Sequence, residues 1–208
     1  MDMLRRSSVF AAEVFDRSPT DKLLVAQAKA LCRDYIHSKL RRAGIGWSKP
    51  EHSVPKGDLA AVSSALTWLC DELEDLQPNL YRNVSRQLNI NAGSENMVSD
   101  AFLAVAADIF STGVTWGKVV SLYTVAGALA VDCVRCGHPE IIHVITDCMA
   151  TFVSKSLTAW LKKRGGWGDL VKCVLNTDHS FHSHWLVSTV CAFGLYLKAV
   201  VLYLLREK

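Results

Sequence analysis

Apolar residues along most of this chain recur every three or four positions, with polar residues between them. That period predicts α-helices, each with one face turned inward. The first predicted helix is "SPTDKLLVAQAKALCRDYIHSKLRRAG". Ser18 caps it, Pro19 sits in its first turn and Gly44 closes it. Leu24, Ala28, Leu31 and Tyr35 form its inner face. Residues 45–57 carry two prolines and few apolar positions, and read as an exposed loop. Then comes "VSSALTWLCDELEDL", residues 62–76, with Asp58 placed to cap the helix that contains it. Val62, Leu66, Leu69, Leu73 and Leu76 make one narrow stripe, and Asp71, Glu72, Glu74 and Asp75 make an acidic back. Gln77-Pro78 ends that helix. A short amphipathic piece follows with Leu80, Tyr81, Val84 and Leu88. Ser94 caps a helix through Ile109, and "STG" breaks the chain again.

The next helix, in "TWGKVVSLYTVAGALAVDCVRCGHP", has thirteen uncharged residues between Lys118 and Asp132. A helix apolar all round belongs at the centre of a bundle. Gly137 stops it and Pro139 starts another, whose apolar face is Ile141, Ile142, Ile145, Met149, Phe152 and Val153. "LTAWLKKRGGWGDLVKCVL" predicts two short helices joined at Gly165-Gly166. No segment alternates with period two, so no sheet is expected. Residues 185–205, "WLVSTVCAFGLYLKAVVLYLL", contain one charge in twenty-one positions. As a helix this segment spans roughly 32 Å, near the thickness of a hydrocarbon core. Trp185 and Tyr203 lie near its ends, where interfacial aromatics belong. It reads as a C-terminal membrane anchor. Lys198 argues for the competing reading, a helix docked on the protein, because a mid-membrane lysine costs about 2.5–3.5 kcal/mol.

Taken together the pattern predicts an all-α fold. A bundle of about eight helices surrounds a central apolar helix over residues 1–180, and the anchor follows at 185–205. The stripe at 62–76 has an energetic consequence. Burying one Leu or Val is worth about 1.5–3 kcal/mol, so five are worth roughly 8–15 kcal/mol, as much as a whole domain's stability. The stripe must therefore be buried at rest, and it can leave only for another apolar site.

Composition changes this picture little. The chain has 208 residues, 23 basic and 20 acidic, for a net charge of +3. That balance gives no reason to expect nucleic acid as a partner. Seven cysteines sit inside apolar helical patterns and read as reduced core thiols in a cytosol-facing protein. "MDMLRRSSVF" lacks an apolar run of signal-peptide length, so secretion is not expected.

Candidate chemistry is sparse. Cys133, Cys136 and His138 invite a metal, but a second ligand pair is missing and they read as core and helix-end residues. His179, His182 and His184 read as a solvated linker. His143 and Asp147, four apart, read as a surface ion pair. No phosphate loop, nucleophile elbow or dinucleotide fingerprint occurs. No enzyme, cofactor or metal is expected.

The order of the motifs carries more. "TGVTWGKVV" resembles the first homology region of the B-cell lymphoma-two (Bcl) family of apoptosis regulators, here 112–131. "WLKKRGGWGDLV" resembles the second, within 160–175, with Trp160, Gly165, Gly166 and Trp167 at its turn. The stripe resembles the third, the death motif, with Val62, Leu66, Leu69 and Leu73 as anchors and Asp71 as its acid. Residues 21–36 lie where the fourth belongs. The resemblance implies a pro-apoptotic effector that self-associates through death motif and groove and permeabilises the mitochondrial outer membrane. Its partners would be itself, other Bcl-family proteins and a lipid membrane. It would sit on mitochondrial and endoplasmic reticulum membranes, with a cytosolic pool. The alternative is a pro-survival binding module that captures death motifs without forming pores. Trp116, Gly117 and Lys118 would line the groove. Two positions depart from the family pattern. Cys70 stands where a glycine or alanine is usual, and Lys118 replaces a forked arginine with a point charge.

Overall fold

The computed structural model describes residues 19–46, 57–82, 84–88 and 91–175. Ser18, the three linker histidines and the anchor residues Trp185, Lys198 and Tyr203 lie outside the described residues. Among the described residues the only regular structure is helical: α1 Pro19–Arg42, α2 Asp58–Leu76, α3 Val84–Gln87, α4 Glu95–Ile109, α5 Trp116–Arg135 and α6 Ile141–Phe152. A π-helical turn, Val153–Leu157, leads into α7 Thr158–Arg164, and α8 Asp169–Leu175 follows.

α5 is the hub. Every residue from Val119 to Cys133 is buried, including Ser121, Thr124 and Asp132. Ser121 and Thr124 donate to the carbonyls of Gly117 and Val120, four residues back, so their hydroxyls are satisfied inside the helix. α5 has the length and apolarity of a membrane span, but as the core helix of this bundle it meets the same description. α1, α2, α3, α4 and α6 pack around it. α1 crowds Gly127, where an added Cβ would stand 2.5 Å from the Tyr35 ring. Only glycine fits there. The Tyr123 hydroxyl donates to the Ala28 carbonyl at 3.1 Å and fastens the same pair of helices.

Several element ends follow the local sequence. Ser94 caps α4 through the Met97 N–H, and Thr115 caps α5 through the Lys118 N–H. Gly165 and Gly166 take positive φ angles of 83° and 89°, and the Gly166 N–H returns to the Leu161 carbonyl, which ends α7.

Three expectations need correction. Asp58 does not cap α2. Gly57 is the N-cap, without a side-chain bond, and Asp58 is the first helical residue, where its charge suits the helix dipole. Leu76, the fifth stripe residue, is 41% exposed. A straight helix drifts about 20° per heptad from a 3.5-residue repeat, so the buried arc shifts toward Ser63 and Cys70 and leaves Leu76 at its edge. The helix expected from Pro139 is not separate from the first of the two short helices expected after it. It runs on through the wider π turn, which keeps Val153, Leu157 and Leu161 all facing the core.

Candidate functional site

The site is built around α2. Val62, Leu66, Leu69, Cys70 and Leu73 are all buried. Their helix lies against α5, α1 and α8. At Cys70 α2 packs directly on the central helix: its thiol faces the Val120 carbonyl at 3.7 Å. The small side chain is thus compatible with close packing. Burial pushes this thiol up to about 12, so it is neutral and unreactive in the folded chain.

The acidic side of α2 is not simply solvated. Asp71 pairs with Arg42, and Glu74 pairs with Lys39, both on α1. Ser63 donates to Asp34, also on α1. Burial raises the Glu74 carboxyl above its ordinary range even though Lys39 pulls the other way. Burial pulls Arg42 down, and its bond to Asp71 more than offsets that. The Tyr35 ring lies beneath this pair of bridges, and its burial raises the phenol far above its usual range.

The two segments read as the first and second homology regions meet through aromatic rings. Trp116, at the start of α5, stacks edge-on to Trp160 at 4.9 Å and lies 5.9 Å from Trp167. The Trp116 indole N–H donates to Asp169 at 2.8 Å, and that of Trp167 donates to the Leu24 carbonyl at 3.0 Å. Arg164 lies over the Trp160 ring, 5.2 Å away. The Gly165-Gly166 turn serves to bring Trp167 back into the core beside Trp116. Gly117 is buried next to it.

Lys118 has a local role. Its ammonium donates to the Thr112 hydroxyl at 2.6 Å and the Gly113 carbonyl at 2.9 Å. It braces the turn before α5 instead of reaching Asp71. Partial desolvation lowers it from its ordinary value.

The pairing of His143 with Asp147 is corrected: Asp147 reaches across to Lys29 of α1. Cys133 is buried while Cys136 is exposed, and His138 bonds Glu140 at 3.0 Å. Sequence reasoning missed Arg42, Lys39 and Asp169. It also missed the role of Asp132, which accepts from the Ser85 N–H at 3.0 Å and hydroxyl at 3.2 Å and so pins the start of α3. One signal was available for the first two. Lys39 and Arg42 are three apart, as are Asp71 and Glu74, so two helices carry complementary charges at matching spacing.

Comparison with known proteins agrees with this geometry. The chain is 71% identical to the Bcl-2-related ovarian killer protein homolog A of Danio rerio, over the full length of both. It is 58% identical to the Homo sapiens Bcl-2-related ovarian killer protein, again over all of both chains. The chain belongs to the Bcl-2 family of apoptosis regulators. Residues 66–167 match the family described as apoptosis regulator proteins, Bcl-2 family. The crystal structure of chicken BOK superposes with a TM-score of 0.67 at 64% identity, covering 74% of this chain and 99% of that one. The solution structure of human BOK gives 0.69 at 58% identity, covering 74% and 100%. A structure of Trichoplax adhaerens trBcl-2L2 bound to trBak BH3 shares the fold, with a TM-score of 0.66 at 23% identity and coverage of 72% and 98%. As a Bcl-2 family regulator with this fold, the chain is not an enzyme.

Proposed function

We propose that this Bcl-2 family regulator is a pro-apoptotic effector that permeabilises the mitochondrial outer membrane by self-association. The observation that carries the reading is the double nature of α2. Its apolar face is fully buried in its own core, yet its acid, Asp71, lies at the surface on a polar bridge. Such a helix serves the core at rest and can be received by the groove of a second molecule, where Asp71 would meet Lys118. Exchange between identical chains gives a symmetric dimer. The Trichoplax protein holding a BH3 helix on the same fold supports a groove as receptor. Once α2 leaves, the apolar faces of α5 and α6 need another apolar medium, and lipid supplies it. Residues 185–205 would hold the molecule on mitochondrial and endoplasmic reticulum membranes, with a cytosolic pool. Other Bcl-family proteins would compete for the same motif and groove.

The test is dye release from liposomes of mitochondrial lipid composition by the full chain, with and without a death-motif peptide. Release that is lost in Leu66→Ala supports the effector reading. Peptide capture with no release under either condition would make the chain a binding module instead.

A further inference from the structure

The seam between α1 and α2 is built differently from the rest of the α2 packing. α2 meets α5 through apolar side chains, but along this edge it meets α1 through polar bridges. Asp34–Ser63 and Arg42–Asp71 share one register, eight residues apart on both helices, and Lys39–Glu74 crosses beside them. Open clefts flank the Arg42–Asp71 bridge. One of about 460 Å³ lies on the side of Asp34 and Ser63. Another of about 540 Å³ lies on the side of Lys39 and Glu74. Asp71 borders both. The bridge thus crosses a gap between two solvent-accessible hollows, with its side chains 41% and 33% exposed.

We propose that Arg42, assisted by Lys39, is an autoinhibitory latch: it holds the death-motif acid in cis, and α2 is released only when Asp71 lets go of it. This rests on the exchange reading above and adds what gates it. Asp71 cannot keep Arg42 of its own chain once α2 has left α1 for the groove of another molecule. The groove cation is likewise engaged at rest, since Lys118 is held by Thr112 and Gly113. Both halves of the intermolecular bond are therefore occupied within the resting chain. The latch is polar and part-exposed, so it can open before the apolar anchors of α2 leave the core. A partner's acidic helix can compete for Arg42 before α2 leaves the core.

Two buried thiols give a readout within the full-length chain. Cys70 lies on the buried face of α2 itself, whereas Cys133 is buried in α5, which stays in the core when α2 loosens. Alkylation by N-ethylmaleimide, with each site located by peptide mass spectrometry, yields the ratio of Cys70 to Cys133 modification rates. In Arg42→Glu that ratio should rise roughly fivefold, because a weak attraction becomes a repulsion. The milder Arg42→Gln should raise it about twofold. Adding Asp71→Arg to Arg42→Glu should return the ratio close to wild type. A ratio that stays put in the single variants overturns the latch, whether both thiols speed up together or neither does. So does a double variant as fast as Arg42→Glu alone. No membrane is needed, so absence of liposome release alongside a raised ratio would remove the effector reading and leave the latch standing.

Discussion

Leu66 and Leu76 belong to the same stripe by spacing, yet they differ in the folded chain, and that difference makes a sharp test. Leu66 is completely buried in the core cluster around α5, while Leu76 is 41% exposed at the end of α2. Leu66→Ala removes side-chain atoms from water-free packing and leaves a cavity that the rigid α5 cannot fill. Such truncations cost about 2–5 kcal/mol. For a domain of this size each kcal/mol moves the midpoint by roughly 2–4 °C, so Tm should fall by about 4–20 °C. Leu76→Ala loses only part of one transfer term and leaves no enclosed void, so its cost should be under about 1 kcal/mol. Thermal unfolding followed by far-ultraviolet circular dichroism measures both. Equal shifts for the two variants would mean that the buried arc of α2 is not centred as described, and the reasoning from stripe to core would fail.

The Gly127→Ala variant should destabilise by about 1–3 kcal/mol through collision with Tyr35, seen as a lower urea midpoint with unchanged slope. Trp167→Phe keeps most of the ring contacts but drops the N–H bond to Leu24, and should cost about 1 kcal/mol in the same titration. Glu74 supplies a pH test. Its folded carboxyl is raised, so the folded chain takes up a proton at higher pH than the unfolded chain does. The Tm of wild type minus that of Glu74→Gln should therefore increase as pH falls from 7 toward the ordinary glutamate range, and a decrease would mean that the Lys39 pairing dominates. Lys118→Asp should impair self-association and liposome release, with partial recovery when Asp71→Lys is added, as read by crosslinking and dye efflux.

The helices were legible because their signals are local. Ser94 precedes its helix by one residue, Gly165-Gly166 marks a stop, and the uncharged run after Lys118 identifies the hub without any partner being known. Helix edges were less legible. A stripe read at a strict heptad spacing hides the slow drift that exposes Leu76 and buries Cys70 and Ser63. The π turn at Val153–Leu157 has no glycine or proline to announce it. Charge pairing across helices was the least legible. Asp147 had a histidine four residues away as its obvious partner, but it reaches Lys29, more than a hundred positions earlier. Only the packing of α1 on α6 decides that. In the same way Arg42 and Asp71 are unremarkable on their own helices and become a pair only when α1 and α2 lie side by side.

The energetics of α2 divide along its two edges. Four buried anchors, Val62, Leu66, Leu69 and Leu73, account for roughly 6–12 kcal/mol of apolar burial. No single ion pair approaches that, since half-exposed bridges contribute about 0–1 kcal/mol each. The apolar face therefore decides whether α2 can leave at all, and it demands a receiving groove of comparable apolar area. The polar seam adds little on that scale, yet α2 leaves only with the Arg42–Asp71 bridge broken. It can decide which incoming helix starts the process, because a difference of 1.4 kcal/mol is already tenfold in population. In the proposed exchange, the acid of the stripe therefore adds little to the stability of the resting fold, and its weight falls on the choice of partner.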